Sequence, residues 1–208
     1  MDGVLVDSIS SWQYIHEAFS THNHDAVQAY VKGEISDQEF IRQDVSQWKR
    51  DDQLITKKQL RSILINLSLM TGAKECIKAL KQKNIITVIV SAGLLVLAEH
   101  IGQKLGMDYV YANDIKTDNT GRLTGEGIVN VPLMYKDKTV QRITKETGIR
   151  VDQMAAVGNS CFDIPMLLSC GLGIAFNPAD DCIRKEADII VDGKDLGRLM
   201  VSLEPYLK

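Results

Sequence analysis

The stretch that decides the fold is Ile85-Ile86-Thr87-Val88-Ile89-Val90-Ser91-Ala92-Gly93. Every residue from Ile85 to Val90 is β-branched, and no charged residue interrupts the run, which is typical of a parallel strand buried on both faces. Ser91-Ala92-Gly93 then ends the run with small residues that favour a turn. The pattern predicts a buried strand over residues 85–90, with polar groups at its carboxyl end.

Helical and strand patterns alternate on both sides of this run. Helices are predicted over residues 73–82, 94–105, 137–147 and 164–170, and strands over residues 109–112, 154–157, 172–176 and 188–191. The stretch Asp118-Asn119-Thr120-Gly121 predicts the turn of a hairpin. This order predicts an α/β fold, a doubly wound parallel sheet with helices on both faces. In such sheets, ligands bind beyond the carboxyl ends of the strands.

The segment before this core has a different pattern. Its apolar residues recur at three- and four-residue steps, as at Trp12, Ile15 and Phe19, and this spacing predicts helices. Ser36 and Thr56 are expected to cap two of them. We therefore expect a helical cap over residues 9–73, inserted into a core of residues 1–8 and 74–208. Three histidines of the cap are expected to be solvated rather than metal ligands: His16, His22 and His24.

Composition excludes several classes of function. The 208 residues are 45% hydrophobic and have a net charge of −3 with dispersed Lys and Arg, so a nucleic-acid partner is not expected. No apolar run reaches the ~18 residues of a membrane span, and no signal-peptide pattern is present. The cysteines form no C-x-x-C pair, which suits a reducing cytoplasm and predicts four free thiols, at Cys76, Cys161, Cys170 and Cys182. Self-association as a homodimer is left open.

Polar residues cluster where the predicted strands end. They are Asp2 with its glycine, Ser91-Ala92-Gly93, Lys136, and Gly158-Asn159 with Asp163. A hydroxyl and backbone amides at a helix N-terminus bind anions, and a lysine adds a charge suited to phosphate. Oxygen donors at two further strand ends suit Mg²⁺. Each residue alone could be a helix cap, a turn or a solvated lysine, but together they indicate a phosphoryl-transfer site.

These stretches also resemble a known family. Residues 1–8 (Met-Asp-Gly-Val-Leu-Val-Asp-Ser), residues 90–93, Lys136 and residues 157–163 (Val-Gly-Asn-Ser-Cys-Phe-Asp) resemble, in order, the four motifs of the haloacid dehalogenase (HAD) superfamily. They look most like the branch that contains phosphoserine phosphatase. The resemblance implies a HAD-type α/β core with a helical cap. It also implies a hydrolase that removes phosphate from a small metabolite with Mg²⁺, through an aspartyl-phosphate intermediate.

The resemblance assigns roles to individual residues. Asp2 matches the aspartate that protonates the leaving oxygen and then activates water. Ser91 would bind the phosphoryl oxygens with the amides of Ala92 and Gly93, and Lys136 would neutralise negative charge in the same place. These residues are the expected catalytic and phosphate-binding groups.

The metal ligands follow from the same resemblance. The Asp2 backbone carbonyl and Asn159 would hold Mg²⁺, with Asp163 as a direct or outer ligand. Asn159 stands where the family more often has an aspartate, so weaker metal binding is expected. Lys138 is the alternative to Lys136 if the register of the loop slips.

Two further departures bear on activity. The family's nucleophile would stand one residue before Met1, so the 208-residue chain is expected to turn over almost nothing and to leave a slot beside the strands that end at Ser91 and Gly158. Ile9 and Asp44 occupy the positions at which a glutamate and an arginine would hold phosphoserine. Phosphoserine is therefore not the favoured substrate. A phosphoserine phosphatase proper and a non-catalytic phosphate-binding or regulatory protein remain the alternatives.

Overall fold

Ten α-helices and eight β-strands make up the computed structural model, which describes residues 1–207. The helices are α1 (Ser11–Ala18), α2 (His24–Val31), α3 (Asp37–Ser46), α4 (Lys57–Leu64), α5 (Ala73–Gln82), α6 (Leu95–Leu105), α7 (Lys136–Thr147), α8 (Ile164–Leu168), α9 (Asp181–Glu186) and α10 (Gly197–Leu203). The strands are β1 (Lys49–Arg50), β2 (Gln53–Leu54), β3 (Val88–Leu94), β4 (Tyr109–Thr117), β5 (Leu123–Ile128), β6 (Ala155–Gly158), β7 (Leu172–Phe176) and β8 (Ile189–Val191).

The core strands form two three-stranded sheets. In one, β3 pairs in parallel with β4, which turns back through a hairpin to pair antiparallel with β5. In the other, β6, β7 and β8 are all parallel. The α/β class is therefore confirmed, but the expected single sheet is not formed. Within residues 1–207, no strand pairing joins β3 to β6.

Strand β3 is displaced from its predicted position. It begins at Val88 rather than at residue 85, because the amide and hydroxyl of Thr87 are held by the Asp108 carboxylate at 2.8 and 2.9 Å. It continues beyond residue 90, and the register against β4 shifts between Ser91 and Leu94. This bulge leaves Ala92 and Gly93 without register partners on β4.

The first eight residues form a turn rather than a strand. The Met1 carbonyl accepts the amides of Val4, Leu5 and Val6 at 3.1, 2.8 and 3.2 Å, and these three side chains are buried. A cavity of about 450 Å³ lies between β3 and β6, lined by both strands and by the side of this turn. The cavity occupies the place at which the family resemblance puts a strand.

The segment of residues 9–73 contains α1 to α4, as the periodicity predicts. Ser36 caps α3 by accepting the Glu39 amide at 3.2 Å, and Thr56 forms a capping box with Gln59 at the start of α4. The short hairpin of β1 and β2 was not predicted. Apolar side chains of this segment, Trp48 among them, join the same hydrophobic core as those of the sheets.

Two expectations about single residue types are wrong. His16 is 1% exposed, because α1 turns it inward against Asp44, whereas His22 and His24 lie on the surface as expected. Cys161 and Cys182 form a disulfide, since the turn after β6 lies against the start of α9. The other two cysteines are free, as expected: Cys76 and Cys170.

In the part of the chain that the structure describes, every helix is too short or too polar to cross a bilayer.

Candidate active site

The predicted site residues line one cavity of about 360 Å³. It lies where the N-terminal turn, the carboxyl ends of β3 and β6 and the start of α7 meet the helices of residues 9–73. The lining includes every residue that the sequence singled out for catalysis, phosphate or metal: Asp2, Ser91, Ala92, Gly93, Lys136, Asn159 and Asp163. The cavity therefore brings the four separate stretches together.

Asp2 lies at the base of this cavity. Its Oδ2 accepts the amide and the hydroxyl of Ser11, each at 2.9 Å, while its Oδ1 is buried without a hydrogen-bond partner among the described residues. Burial raises the pKa of the Asp2 carboxyl, although the Met1 ammonium and the hydrogen bonds from Ser11 oppose this shift. A carboxyl group that retains its proton more readily is suited to donate it to a leaving oxygen.

The bulge at the end of β3 contains the residues that were predicted to bind phosphate, Ser91, Ala92 and Gly93. Ser91 is buried, and its Oγ accepts the Gly93 amide at 3.0 Å. The Ala92 carbonyl accepts the indole N–H of Trp12 at 3.0 Å, which fixes the peptide on the side facing α1. A Cβ on Gly93 would lie 2.8 Å from Asp2 Oδ2, so only glycine allows the strand to approach the carboxylate this closely.

Lys136 is the lysine that enters the site. It is the first residue of α7 and is 7% exposed, and its Nζ lies 2.5 Å from Asp163 Oδ1. Lys138, the alternative, is exposed and lies 4.5 Å above the ring of Tyr135. The register of α7 therefore directs Lys136, and not Lys138, into the cavity.

Asp163 organises the loop that follows β6. Its Oδ2 accepts the amides of Asn159 and Ser160 at 2.9 and 3.2 Å, while its Oδ1 binds Lys136. Burial alone would raise the pKa of Asp163, but the Lys136 ammonium, the Met1 ammonium and the Asn159 amide together outweigh burial, and the pKa lies below its usual value. Because the protein engages both oxygens, Asp163 fits the role of an outer ligand better than that of a direct one.

The remaining oxygen donors fit a hard cation such as Mg²⁺. The unpartnered Asp2 Oδ1 is the kind of buried polar atom that requires a ligand, a proton or water. The Asn159 side chain lies against Gly3, where φ is +69° and an added Cβ would collide with the Asn159 amide. Asn159 is thus held beside the Asp2 peptide, so both groups that the resemblance assigns to the metal lie on the same side of the cavity.

Several residues of the site escaped the sequence analysis. The Met1 α-amino group is buried near Asp2, Asp163 and Lys136, and burial lowers its pKa. Ser11 bonds Asp2 and also accepts the Leu94 amide at 3.2 Å. The only available signal for Ser11 was the Ser10-Ser11 pair at the start of α1, which indicates a helix cap but not a contact with β3.

The side of the cavity formed by residues 9–73 is acidic rather than basic. Asp37 and Asp44 line it, and Asp44 Oδ1 lies 3.3 Å from His16 Nε2 without the alignment of a hydrogen bond. Ile9 is 76% exposed at its edge. Among the described lining residues, Lys136 is the only Lys or Arg. Ile9 has no charge to pair with an ammonium, and Asp44 cannot pair with a carboxylate, so neither side chain replaces the glutamate or the arginine of the family at its position.

Comparison with known proteins agrees with this geometry. The family model of the haloacid dehalogenase-like hydrolases matches residues 2–168. The phosphoserine phosphatase of Methanocaldococcus jannaschii is 32% identical over 172 residues, which are 82% of this chain and 78% of that protein. The enzyme of the same name from Haemophilus influenzae is 30% identical over 200 residues, 95% of this chain but only 60% of the longer relative.

Solved structures give the same result at the level of the fold. A substrate-bound phosphoserine phosphatase complex superposes with a TM-score of 0.78 and 25% identity, covering 100% of this chain and 95% of the other. A phosphoserine phosphatase in its apo form superposes with a TM-score of 0.80 and 26% identity over 97% of this chain and 94% of the other. The chain therefore belongs to the haloacid dehalogenase-like hydrolases, as an enzyme of the phosphatase kind that is similar to the phosphoserine phosphatases.

Proposed function

We propose that the chain is a Mg²⁺-dependent, cytoplasmic phosphomonoesterase whose substrate is a small phosphorylated metabolite without a free carboxylate. The observation that carries the proposal is the charge of the cavity. Lys136 is the only cationic side chain among its described lining residues, and it is already paired with Asp163. One lysine serves the phosphate, and the described lining offers no second Lys or Arg to pair with a carboxylate.

The phosphoryl group is bound by the bulge at the end of β3. Ser91 and the Ala92 amide donate to its oxygens, and Lys136 offsets their negative charge. Mg²⁺, held by the Asp2 carbonyl and Asn159, supplies further charge neutralisation when it is bound. These groups stabilise the charge of the transferring phosphoryl group.

Asp2 moves the proton. In its protonated form, which burial favours, it donates to the leaving oxygen, and in its ionised form it then accepts a proton from the attacking water. Ser11 fixes the orientation of the carboxyl group in both steps. The family resemblance assigns the nucleophile to an aspartate directly before Met1, and the Met1 nitrogen to which it would be joined is buried near Asp2, Asp163 and Lys136.

A phosphoserine phosphatase proper is the second candidate, because the curated relatives and solved structures described above carry that name. The two candidates differ in one chemical group. O-Phosphoserine and O-phosphoethanolamine share the phosphate, the ester and the ammonium, but only the former has a carboxylate. This pair of substrates therefore tests the acidic side of the cavity directly.

The experiment measures kcat/KM on these two compounds and on a panel of sugar and alcohol phosphates. The enzyme is a version with an apolar strand and an aspartate placed before Met1, and the control ends in asparagine instead. We expect phosphoserine to be at least about tenfold poorer than phosphoethanolamine, since a carboxylate would be desolvated without a partner. A preference for phosphoserine over the whole panel would establish the second candidate instead. Binding of phosphate without turnover would favour a non-catalytic protein.

A further inference from the structure

A disulfide lies beside the candidate site. Cys161 begins the short 3₁₀ turn Cys161–Asp163 that follows β6, and Cys182 lies in the first turn of α9. Their Cα atoms are 5.7 Å apart, within the range that a disulfide requires. The bond connects two segments that are 21 residues apart in the chain.

The two connected segments already touch each other through the backbone. The Ala179 amide donates to the Asn159 carbonyl at 2.8 Å, and the Cys161 amide donates to Asp180 Oδ2 at 3.1 Å. Ser160, Ala179 and Asp180 also line the catalytic cavity. The disulfide therefore adds a covalent connection at the edge of the cavity to the two hydrogen bonds that join these segments.

A short chain of contacts connects this bond with the ligand-binding groups. Cys161 lies between Asn159 and Asp163, and Asp163 holds both the Asn159 amide and the Lys136 ammonium. The Asn159 side chain lies against Gly3, directly beside Asp2. A displacement of residues 159–163 would move the expected metal ligand and the phosphate-binding lysine together.

The pair is accessible to solvent, and Cys170 is partly exposed as well. Cys161 and Cys182 are both partly exposed to solvent. Cys76 is buried, and burial raises the pKa of the Cys76 and Cys170 thiols to about 11, so few of them ionise at neutral pH. A reductant would therefore act on the Cys161–Cys182 disulfide, whereas the thiols of Cys76 and Cys170 would react slowly with an oxidant.

We propose that Cys161 and Cys182 form a reversible thiol–disulfide switch. The switch sets the affinity with which the site that contains the loop of residues 158–163 binds Mg²⁺. In the disulfide form, residues 158–163 are fixed and Asn159 is held against Gly3. In the dithiol form, the loop is free to move and Mg²⁺ binds less tightly. The effect on Mg²⁺ rests on the proposed function, whereas the effect on the loop does not.

The switch operates by exchange with a small disulfide such as oxidised glutathione. One cysteine sulfur attacks it, which forms a mixed disulfide and releases one molecule of reduced glutathione. The second cysteine then attacks the protein sulfur of the mixed disulfide and releases a second reduced glutathione. The two thiol protons of the protein end on the two released thiols, so the protein is oxidised by two electrons and the glutathione disulfide is reduced by two.

The test equilibrates the full chain in glutathione buffers of different ratio. Alkylation and mass spectrometry count the thiols, hydrogen exchange measures the protection of residues 158–163, and calorimetry measures the Mg²⁺ affinity. We expect stronger protection and about tenfold tighter Mg²⁺ binding in the oxidised form, similar to the usual effect of groups that orient metal ligands. Cys161→Ser and Cys182→Ser should behave like the reduced protein in every buffer, and the control Cys170→Ser should behave like the native chain.

Two results would overturn the switch. One is equal protection of residues 158–163 in both forms, and the other is the absence of the disulfide at every glutathione ratio. Zn²⁺ retained between the reduced thiols and Asp180, seen in a native mass spectrum, would replace the switch by a metal site and would overturn it too. If neither form binds Mg²⁺ but the protection differs, the proposed function fails at its metal while the redox control of the loop holds.

Discussion

Folding favours the protonated form of the Asp2 carboxyl group. Burial raises its pKa above that of the unfolded chain, where an aspartate titrates near ~3.9. As the pH rises above about 4, the unfolded chain releases this proton before the folded one does, so stability falls with pH until the folded group also ionises. Asp2 therefore lowers the stability of the protein at neutral pH in exchange for its proposed chemistry.

We accordingly expect Asp2→Asn to be more stable than the native chain at pH 7, by about 1–2 kcal/mol, because the amide keeps an acceptor for Ser11 without a buried charge. The difference should vanish below about pH 4. Calorimetric melting curves between pH 3 and 8 measure it. The control is Asp118→Asn, which should have the opposite sign, because the pKa of Asp118 is lowered chiefly by its hydrogen bond from Thr120. If Asp2→Asn were less stable than the native chain at pH 7, the buried Asp2 carboxylate would not be a source of instability.

The ion pair of Lys136 and Asp163 is a second sensitive point, because it is almost completely buried. Asp163→Asn should lower the free energy of unfolding by about 3–5 kcal/mol, since an ammonium would remain buried without its counter-charge. Urea denaturation measures the change. Glu126→Gln removes the partner of Lys116 in an exposed pair and should have almost no effect. If both substitutions changed the free energy of unfolding equally, the buried pair would contribute no more to stability than the exposed one.

Sequence reasoning reached most of these residues but not all. Ser91 and Asn159 could be identified because each follows a strand-like run that ends in a turn, and Asp2 because its motif resembles that of the family. Ser11 could not, because its role arises from a contact between α1 and the end of β3, residues that are far apart in the chain. The pairing of Cys161 with Cys182 and that of His16 with Asp44 were missed for the same reason.

At the scale of the elements, the loop after β6 rests on the N-terminal turn through Asn159 and Gly3. Asn159 supplies one neutral oxygen where a carboxylate would bind Mg²⁺ more tightly. We expect weak Mg²⁺ binding without phosphate, tighter binding with it, and no measurable binding in Asn159→Ala. Asn159→Asp, which has nearly the same shape, should tighten binding about tenfold. Calorimetry measures the Mg²⁺ affinity of each variant. If Asn159→Ala still bound Mg²⁺ tightly, Asn159 would not be a ligand of the site.

The elements themselves were predicted best where local pattern alone defines them. Helix α5 and strand β7 have the bounds that the sequence indicated, residues 73–82 and 172–176. Strand β3 begins three residues after its predicted start, because the carboxylate of Asp108, from another part of the chain, accepts a hydrogen bond from the Thr87 amide. The hairpin of β1 and β2 has only two residues in each strand, too few for any periodicity to show.

At the scale of the whole molecule, the division into two sheets could not be foreseen from sequence. Each strand was recognisable by itself, but the pairing of β3 with β4 and of β6 with β7 depends on contacts between distant residues. The edges of β3 and β6 that face the cavity have no strand partner among residues 1–207. Buried backbone groups without partners cost roughly 1–3 kcal/mol each. A strand that pairs with these edges would therefore stabilise the fold.

A strand of about five apolar residues placed before Met1, and ending in aspartate, should fill this cavity. We expect the melting temperature to rise by about 5–10 °C and phosphatase activity to rise with it, because the strand pairs both edges and places a carboxylate beside Asp2. The same extension ending in asparagine should keep the thermal gain without the activity. If the 208-residue chain already hydrolyses phosphate esters at ordinary enzymatic rates, the nucleophile lies elsewhere and the role of Asp2 is misassigned.

The hydrogen bond from the Trp12 indole to the Ala92 carbonyl has an optical consequence. Trp12 is one of two tryptophans, and the other, Trp48, is fully buried with its ring 5.5 Å away. Any movement that parts α1 from the end of β3 must break this bond and expose the Trp12 ring to water. The fluorescence of a Trp48→Phe variant would then shift to the red. Trp12 is therefore an intrinsic fluorescent probe for the opening and closing of the cavity.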